Sequence, residues 1–372
     1  MMNDESITPD NDNVLTLFGA SGVVVADDRH GAERAAIDAR VRRYFDKHFV
    51  KLNPNTRKAY TSDLSQYLLF CQTQVPVLDP LTPNDDIQIT LVEHYIDYLV
   101  ASTKKRATID RHLVSVGKLL RIAGIRNPLR EVEATRDYLK LALNQLDAHG
   151  ELVKPAVQRQ ALPIDERLLD HINETFVITT LQHKRDIALL NFCFNTLLRG
   201  SEIGQIRVAD LDPKNQQVFV RKTKTDKSGK GSYRHVSSQT FALIDVWLGA
   251  GNITEGPVFR ALSPKGKAVK PVTAGEPVKG ISYRSVYRIY QHVLSCCDVD
   301  PSGYSAHSCR VGAVVSMRRV QVDMAGIMQA GGWQSTAMVM RYGAETEAQH
   351  SGAAKLSALR NDNRSGDDES DK

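Results

Sequence analysis

The sequence predicts a mainly α protein with one small β-hairpin, divided into two domains, and three observations carry that prediction. From Arg29 to Leu146 the apolar residues recur at helical spacing almost without interruption. A single pair of alternating segments, Gln217–Thr225 and Ser232–Val236, flanks the turn Asp226-Lys-Ser-Gly-Lys-Gly231 and reads as a hairpin. Finally, 372 residues with 42% hydrophobic content exceed the usual size of one domain, and His149–Gln158 breaks the helical pattern with Gly150 and Pro155. The expected division is an acidic, mobile extension over 1–30, a helical domain over 31–148, a linker over 149–160, a second domain over 161–358 and a polar tail over 359–372.

Taken in order, the first domain should hold helices near 32–48, 55–74, 88–102, 106–123 and 128–146. Asn53-Pro54-Asn55, Pro80–Pro83 and Asn127-Pro128 separate them. In the 106–123 segment Ile109, Leu113, Val116 and Leu120 share one arc of the helix, with Arg111, Lys118 and Arg121 opposite. The helix that buries Tyr60, Leu64, Leu68 and Cys71 opens with Arg57 and Lys58. These bases are either a solvated face or contacts for phosphate. The second domain begins with helices over 165–175 and 184–198, continues through the hairpin, and returns to helices near 238–249, 282–297, 306–320, 322–330 and 335–341.

Charge narrows the partners. The net charge of +5 conceals six acids and no Lys or Arg over 1–28, and five acids against three bases over 360–372, which leaves +13 for residues 29–359. A body that basic points to a polyanion. No apolar run approaches the roughly 18 residues of a membrane span. Val14–Ala26 is interrupted by Gly-Ala-Ser-Gly and preceded by acids, unlike a secretory signal. Five cysteines without a Cys-x-x-Cys pair agree with a reducing compartment, so a cytoplasmic location is expected. The stretch Leu17–Gly22 lacks the third glycine and the strand-helix-strand setting of a dinucleotide site.

Four clusters can carry chemistry. In Asn195-Thr-Leu-Leu-Arg-Gly-Ser-Glu202 a helix ends at Arg199, Gly200 turns the chain, and Glu202 follows closely enough to orient the guanidinium. The hairpin segment Arg221–Lys230 brings several lysines to one turn, to meet a phosphate or a leaving oxygen, or simply to face water. In Ser305-Ala-His-Ser-Cys-Arg310, His307 and Arg310 are spaced i to i+3 in the first turn of a helix that Ser305 or Ser308 can cap. Helix N-termini favour anions, so an arginine there works against the dipole and signals a phosphate or carboxylate guest. In the fourth, Gly331 and Gly332 end one helix before Trp333, Ser335 or Thr336 caps the next, and that helix stops at Tyr342 before Gly343. On ordinary grounds Trp333 and Tyr342 would be core aromatics. A zinc site from His307, Cys309, Cys296 and Cys297 lacks a recognised ligand spacing.

Arg199, a hairpin lysine, His307-x-x-Arg310, Gly332-Trp333 and Tyr342, in that order over 144 residues, resemble the tyrosine site-specific recombinases of the lambda-integrase family, in the pattern of its Cre-like members. The segments LLRGSEIGQIRVADL, SAHSCRVGA and IMQAGGW carry the likeness. It implies an all-helical core-binding domain joined to an α+β catalytic domain, the two closing as a C-shaped clamp around DNA. It also implies a site-specific recombinase that cleaves and rejoins duplex DNA through a covalent 3′-phosphotyrosyl intermediate and a four-way Holliday junction. Tyr342 would be the nucleophile, Arg199 and Arg310 the clamp on the phosphate, His307 a hydrogen-bond donor or the group that helps move the tyrosine proton, Trp333 a hydrogen-bond donor, and Glu202 an orienting group. Lys224, with Lys227 as the alternative, would protonate the leaving 5′-oxygen. Arg57, Lys58, Arg106, Arg111, Lys118 and Arg121 become duplex contacts.

No metal or nucleotide cofactor is required. The implied partners are double-stranded DNA with a palindromic-type site and further copies of the chain, two on one site and four in the synapse, docked through Gln349–Leu359. A bacterial, phage- or plasmid-borne setting goes with it. The alternatives are nicking and resealing in the manner of a type IB topoisomerase, or DNA binding without catalysis.

Overall fold

The computed structural model describes residues 31–155, 160–221, 229–271, 277–342 and 356–357. Lys224, Lys227 and both terminal segments lie outside these residues, as does the expected docking helix apart from Leu356 and Ser357, which are helical. The chain divides into two compact units, Met1–Gln158 and Arg159–Lys372.

The first unit is helical: α1 (Gly31–Lys47), α2 (Pro54–Thr73), α3 (Asp85–Ala101), α4 (Arg106–Ala123), α5 (Pro128–Glu131) and α6 (Glu133–Leu143). Asparagine starts three of them: the side chains of Asn53, Asn84 and Asn127 accept from the N–H groups of Asn55, Ile87 and Leu129, which would otherwise lack partners. Gly124, at φ 73°, closes α4 in the left-handed conformation. Tyr67, Leu91, Tyr95, Leu99, Ile109, Val116 and Leu120 form the core.

Within that core sits a polar network. Asp63 on α2 receives Ser115 Oγ at 2.8 Å, Arg111 Nη2 at 3.0 Å and His112 Nε2 at 3.2 Å, and Tyr95 Oη lies 3.2 Å from His112 Nδ1. Burial raises the Asp63 pKa and, with Lys104 and Arg111 nearby, pushes His112 down to about 4. A neutral imidazole protonated on Nε2 points that N–H toward the Asp63 carboxylate, 3.2 Å away, and leaves Nδ1 to accept from Tyr95 Oη.

Two differences from the sequence reading follow from local chemistry. The single helix expected over 128–146 is interrupted at Val132, whose extended backbone (φ −112°, ψ 118°) separates α5 from α6. The chain that follows, part of the expected linker, folds back on itself. The Asp147 carboxylate accepts from the N–H groups of His149 and Glu151 at 2.8 and 2.9 Å, Leu146 bridges Leu152, and the Lys154 ammonium reaches the carbonyls of Ser102 and Lys104.

The second unit runs α7 (Glu166–Thr175), α8 (Leu181–Thr196), α9 (Gly200–Ile203), β1 (Leu211–Asp212), β2 (Gln217–Val220), β3 (Ser232–His235), α10 (Ser238–Gly251), α11 (Tyr283–Cys296), α12 (Ser308–Arg319), α13 (Met324–Gly331) and α14 (Thr336–Met340). The strands form one antiparallel sheet in the order β1-β2-β3, with Val218 opposite Arg234. Residues 185–193 of α8 are buried throughout, and α10, α11 and α12 pack around it with Phe192, Trp247, Phe259 and Tyr290 in the core. A smaller apolar cluster of Leu197, Val314, Ile327, Trp333 and Val339 supports Tyr342. β1 and the single turn α9 are additions that two- and four-residue segments hide from any periodicity argument.

Candidate active site

The central group is Arg310, the third residue of α12, and its side chain is only 2% exposed. The sequence places this arginine against its own helix dipole. The structure resolves that conflict, because the guanidinium reaches away to the C-terminal ends of two other helices. Nη1 donates to the carbonyl of Leu197, the cap residue of α8, and Nη2 donates at 3.1 Å to the carbonyl of Gly331, the last residue of α13. Carbonyls at helix ends lack intrahelical partners and carry the negative end of the dipole, so they suit a buried cation. Leu197 itself is left-handed, at φ 52°, where a glycine would be the unstrained choice. The planar group also stacks on Trp333, with Cζ 3.9 Å from the ring centroid. Burial and the nearby Arg199 lower the Arg310 pKa to about 10, whereas Tyr342 and Glu202 nearby oppose the shift. Arg310 is therefore charged at neutral pH.

Arg199 follows Leu198 out of α8 and caps α9. Its Nη1 meets Glu202 Oε1 at 2.9 Å while its backbone N–H donates to Oε2 at 3.0 Å, so the expected orienting role of Glu202 corresponds to a two-point contact. His307 stands at the N-cap of α12, and its pKa is lowered by burial and by the guanidiniums of Arg310 and Arg199. The expected serine cap takes another form. Ser305 Oγ accepts from His307 N–H and Ser308 Oγ from Ser305 N–H, which ties the turn before the helix rather than the first turn itself. Ser335 is the N-cap residue of α14 but makes no side-chain cap bond.

Trp333 is 5% exposed, and its ring centroid lies 5.6 Å from that of Tyr342. Its indole Nε1–H is buried without a partner, as is Nε of Arg310. The indole N–H and the guanidinium Nε–H are both able to donate to an anion. Arg199, Glu202, His307, Arg310, Trp333 and Tyr342 thus come together in one place.

One residue the sequence reading passed over joins them. Arg234, in β3, is 7% exposed, and its charge is felt by Glu202 and Arg199. The signal in the sequence was an arginine two residues from the buried Val236, on the inward side of the strand. No group of three or more His, Cys, Asp or Glu among the described residues is arranged to hold a metal ion.

The other basic residues singled out belong to the first unit. Arg57 is half-buried and Lys58 exposed, and Arg106 Nη1 donates to Asn144 Oδ1 at 3.0 Å. Arg111 is tied to Asp63, Lys118 lies 4.4 Å from the Tyr60 ring centroid, and Arg121 is exposed. The charged heads of Arg106, Arg111 and Lys118 are thus engaged within the unit, whereas Lys58 and Arg121 are exposed.

Residues 165–349 match the phage integrase family. The chain is 28% identical over 303 residues to the Cre recombinase of Escherichia phage P1, spanning 77% of this chain and 83% of that protein. It is 28% identical over 208 residues to a tyrosine recombinase of Synechocystis, spanning 54% of this chain and 60% of that protein. Among solved structures, the Tn1549 transposon integrase in complex with a circular intermediate DNA superposes with a TM-score of 0.55 at 11% identity, over 82% of this chain and 94% of that one. A lambda integrase dimer bound to a core site superposes with a TM-score of 0.52 at 13% identity, over 83% and 94%. The fold is shared with these structures, and residues 165–349 place the second unit in the phage integrase family, the family of tyrosine recombinases to which the sequence relatives point.

Proposed function

We propose that the protein is a site-specific DNA recombinase that breaks and rejoins duplex DNA through Tyr342. The observation that supports this most is the stack within one chain of Arg310 on Trp333, Cζ 3.9 Å from the ring centroid, and of Trp333 beside Tyr342, ring centroids 5.6 Å apart, which sets a phenol near a buried cation and a buried, unpartnered indole N–H. In the forward step Tyr342 Oη forms a bond to the scissile phosphorus, the bond from phosphorus to the 5′-oxygen breaks, and a 3′-phosphotyrosyl link results. The phenolic proton passes to His307, which burial and two guanidiniums hold neutral at neutral pH. The 5′-oxygen takes a proton from Lys224 or Lys227. The pentacoordinate phosphorus carries more negative charge than the diester. Arg199 and Arg310 bind its nonbridging oxygens and Trp333 Nε1–H adds a third donor, so stabilisation is greatest where the charge develops.

The step conserves the energy of the phosphodiester, so a second strand's 5′-hydroxyl can reverse it and change partners. Two chains on a palindromic-type site and four in a synapse would carry this through a Holliday junction in the cytoplasm. Arg57, Lys58, Arg106, Arg111, Lys118 and Arg121 would hold the duplex, with affinity that falls steeply as salt rises.

The test begins with selecting a bound duplex from a randomised library. A supercoiled plasmid carrying two copies of that duplex should then yield a deletion circle with the wild-type protein and none with Tyr342→Phe. Relaxation of the plasmid without exchange between the two copies would refute the recombinase reading.

A further inference from the structure

The pocket holds more positive charge than two clamping arginines require. Among the described residues, Arg199, Arg234 and Arg310 bring three guanidiniums against the carboxylate of Glu202, whose two oxygens are both engaged by Arg199. Arg234 is the least satisfied of the three. Its Nη1 donates to the carbonyl of the adjacent Tyr233 at 2.8 Å, and its Nε is buried with no partner. Its Nη2 occupies the space a side chain would fill at Gly332, 2.0 Å from where a Cβ would stand. Gly332 is left-handed at φ 64°, a conformation that favours glycine.

The turn leading to Trp333 is therefore held from two sides: Arg310 binds the carbonyl of Gly331 and Arg234 lies against Gly332. A buried, incompletely paired cation costs stability unless an anion completes it. Burial already lowers the Arg234 pKa, and Arg199 adds to the shift.

We propose that Arg234 is a third guanidinium serving the scissile phosphate, which props the Gly331–Trp333 turn and adds positive charge behind it as the phosphorane forms. This rests on the recombinase reading of the site. It makes the hairpin a contributor through β3 itself, independently of whichever lysine its loop presents.

The experiment compares single-turnover adduct formation on two nicked duplexes built on the selected DNA. One carries an ordinary scissile phosphodiester; the other carries a methylphosphonate, in which a methyl group replaces a nonbridging oxygen and removes the charge. Arg234→Met should slow cleavage of the phosphodiester about 10- to 100-fold relative to wild type, the scale of one charged contact in a low-dielectric site. On the methylphosphonate it should fall less than about threefold behind, because there is little charge left to stabilise. Arg234→Lys, which keeps the charge, should lie closer to wild type than Arg234→Met on the diester.

Equal losses on both duplexes would show that Arg234 only packs, and an undiminished rate on the diester would show that it does nothing; either result overturns the proposal. Should Arg234→Met fail to fold, judged by tryptophan fluorescence, Arg234→Gln is compared with Arg234→Lys by the same criteria. Tyr342→Phe runs alongside. An adduct surviving that change would sink the site reading itself, whatever the Arg234 ratio.

Discussion

Replacing Arg310 with lysine isolates what the planar guanidinium does beyond its charge. In the folded protein its fork spans two carbonyls, those of Leu197 and Gly331, while its face stacks on Trp333. A lysine ammonium can reach one carbonyl but cannot also hold the other and lie flat on the indole. The carbonyl left without a donor costs about 1–3 kcal/mol, and the lost stacking about 0.5–2 kcal/mol. The Arg310→Lys variant should therefore be about 1.5–5 kcal/mol less stable.

Both tryptophans, Trp247 and Trp333, lie in the second unit, so urea unfolding followed by tryptophan fluorescence reports on that unit. Catalysis should fall further than stability alone explains. Losing the paired donors on a developing phosphorane is worth about 10²- to 10³-fold in single-turnover cleavage at a urea-free concentration where the variant is folded. Cleavage within tenfold of wild type would refute the clamp, and unchanged stability would refute the claim that the two helix ends hold this cation.

Two further outcomes follow from particular groups. Trp333→Phe keeps an aromatic face for Arg310 but removes the buried, unpartnered Nε1–H. It should change stability by less than about 1.5 kcal/mol yet slow cleavage by about tenfold or more, and an unchanged rate would mean that the indole only packs. His112 tests the first unit. Its folded pKa of about 4 lies below the ordinary 6.5, so the unfolded chain takes up the proton first. The stability it permits is complete above pH 6.5 and is lost as pH falls toward 4, by about 2–3 kcal/mol at pH 4.5. Asp63, Arg111 and Tyr95 face the imidazole in both the wild type and His112→Gln, so the difference between their urea midpoints by circular dichroism should shrink or reverse between pH 7.5 and 4.5. Parallel pH profiles would contradict a buried neutral His112.

What the sequence made legible, and what it hid, divides by the range of the interactions. The helix over 106–123 is visible to the residue, because Gly124 ends it and Ile109, Val116 and Leu120 mark its buried face. The break at Val132 and the Asp147 turn are settled by single-residue backbone choices that no periodicity registers. In the site, Arg199, His307, Arg310 and Tyr342 stand out by type and order. The partners that make a buried Arg310 tolerable are backbone carbonyls 113 and 21 residues away, and main-chain acceptors leave no mark in a sequence. Arg234 was hidden for the opposite reason: a basic residue in a short hairpin strand looks the same facing water as facing a pocket.

Tyr342 as the nucleophile whose Oη bonds the scissile phosphorus is tested most directly by mapping the covalent adduct. The protein is reacted with a nicked duplex carrying the selected sequence, digested with proteases, and the nucleotide-bearing peptide is identified by mass spectrometry. The account predicts a single modified residue, Tyr342, joined through a 3′-phosphate, with the free 5′-hydroxyl on the departing strand. A nucleotide attached to any other side chain, or attachment through a 5′-phosphate, would contradict it.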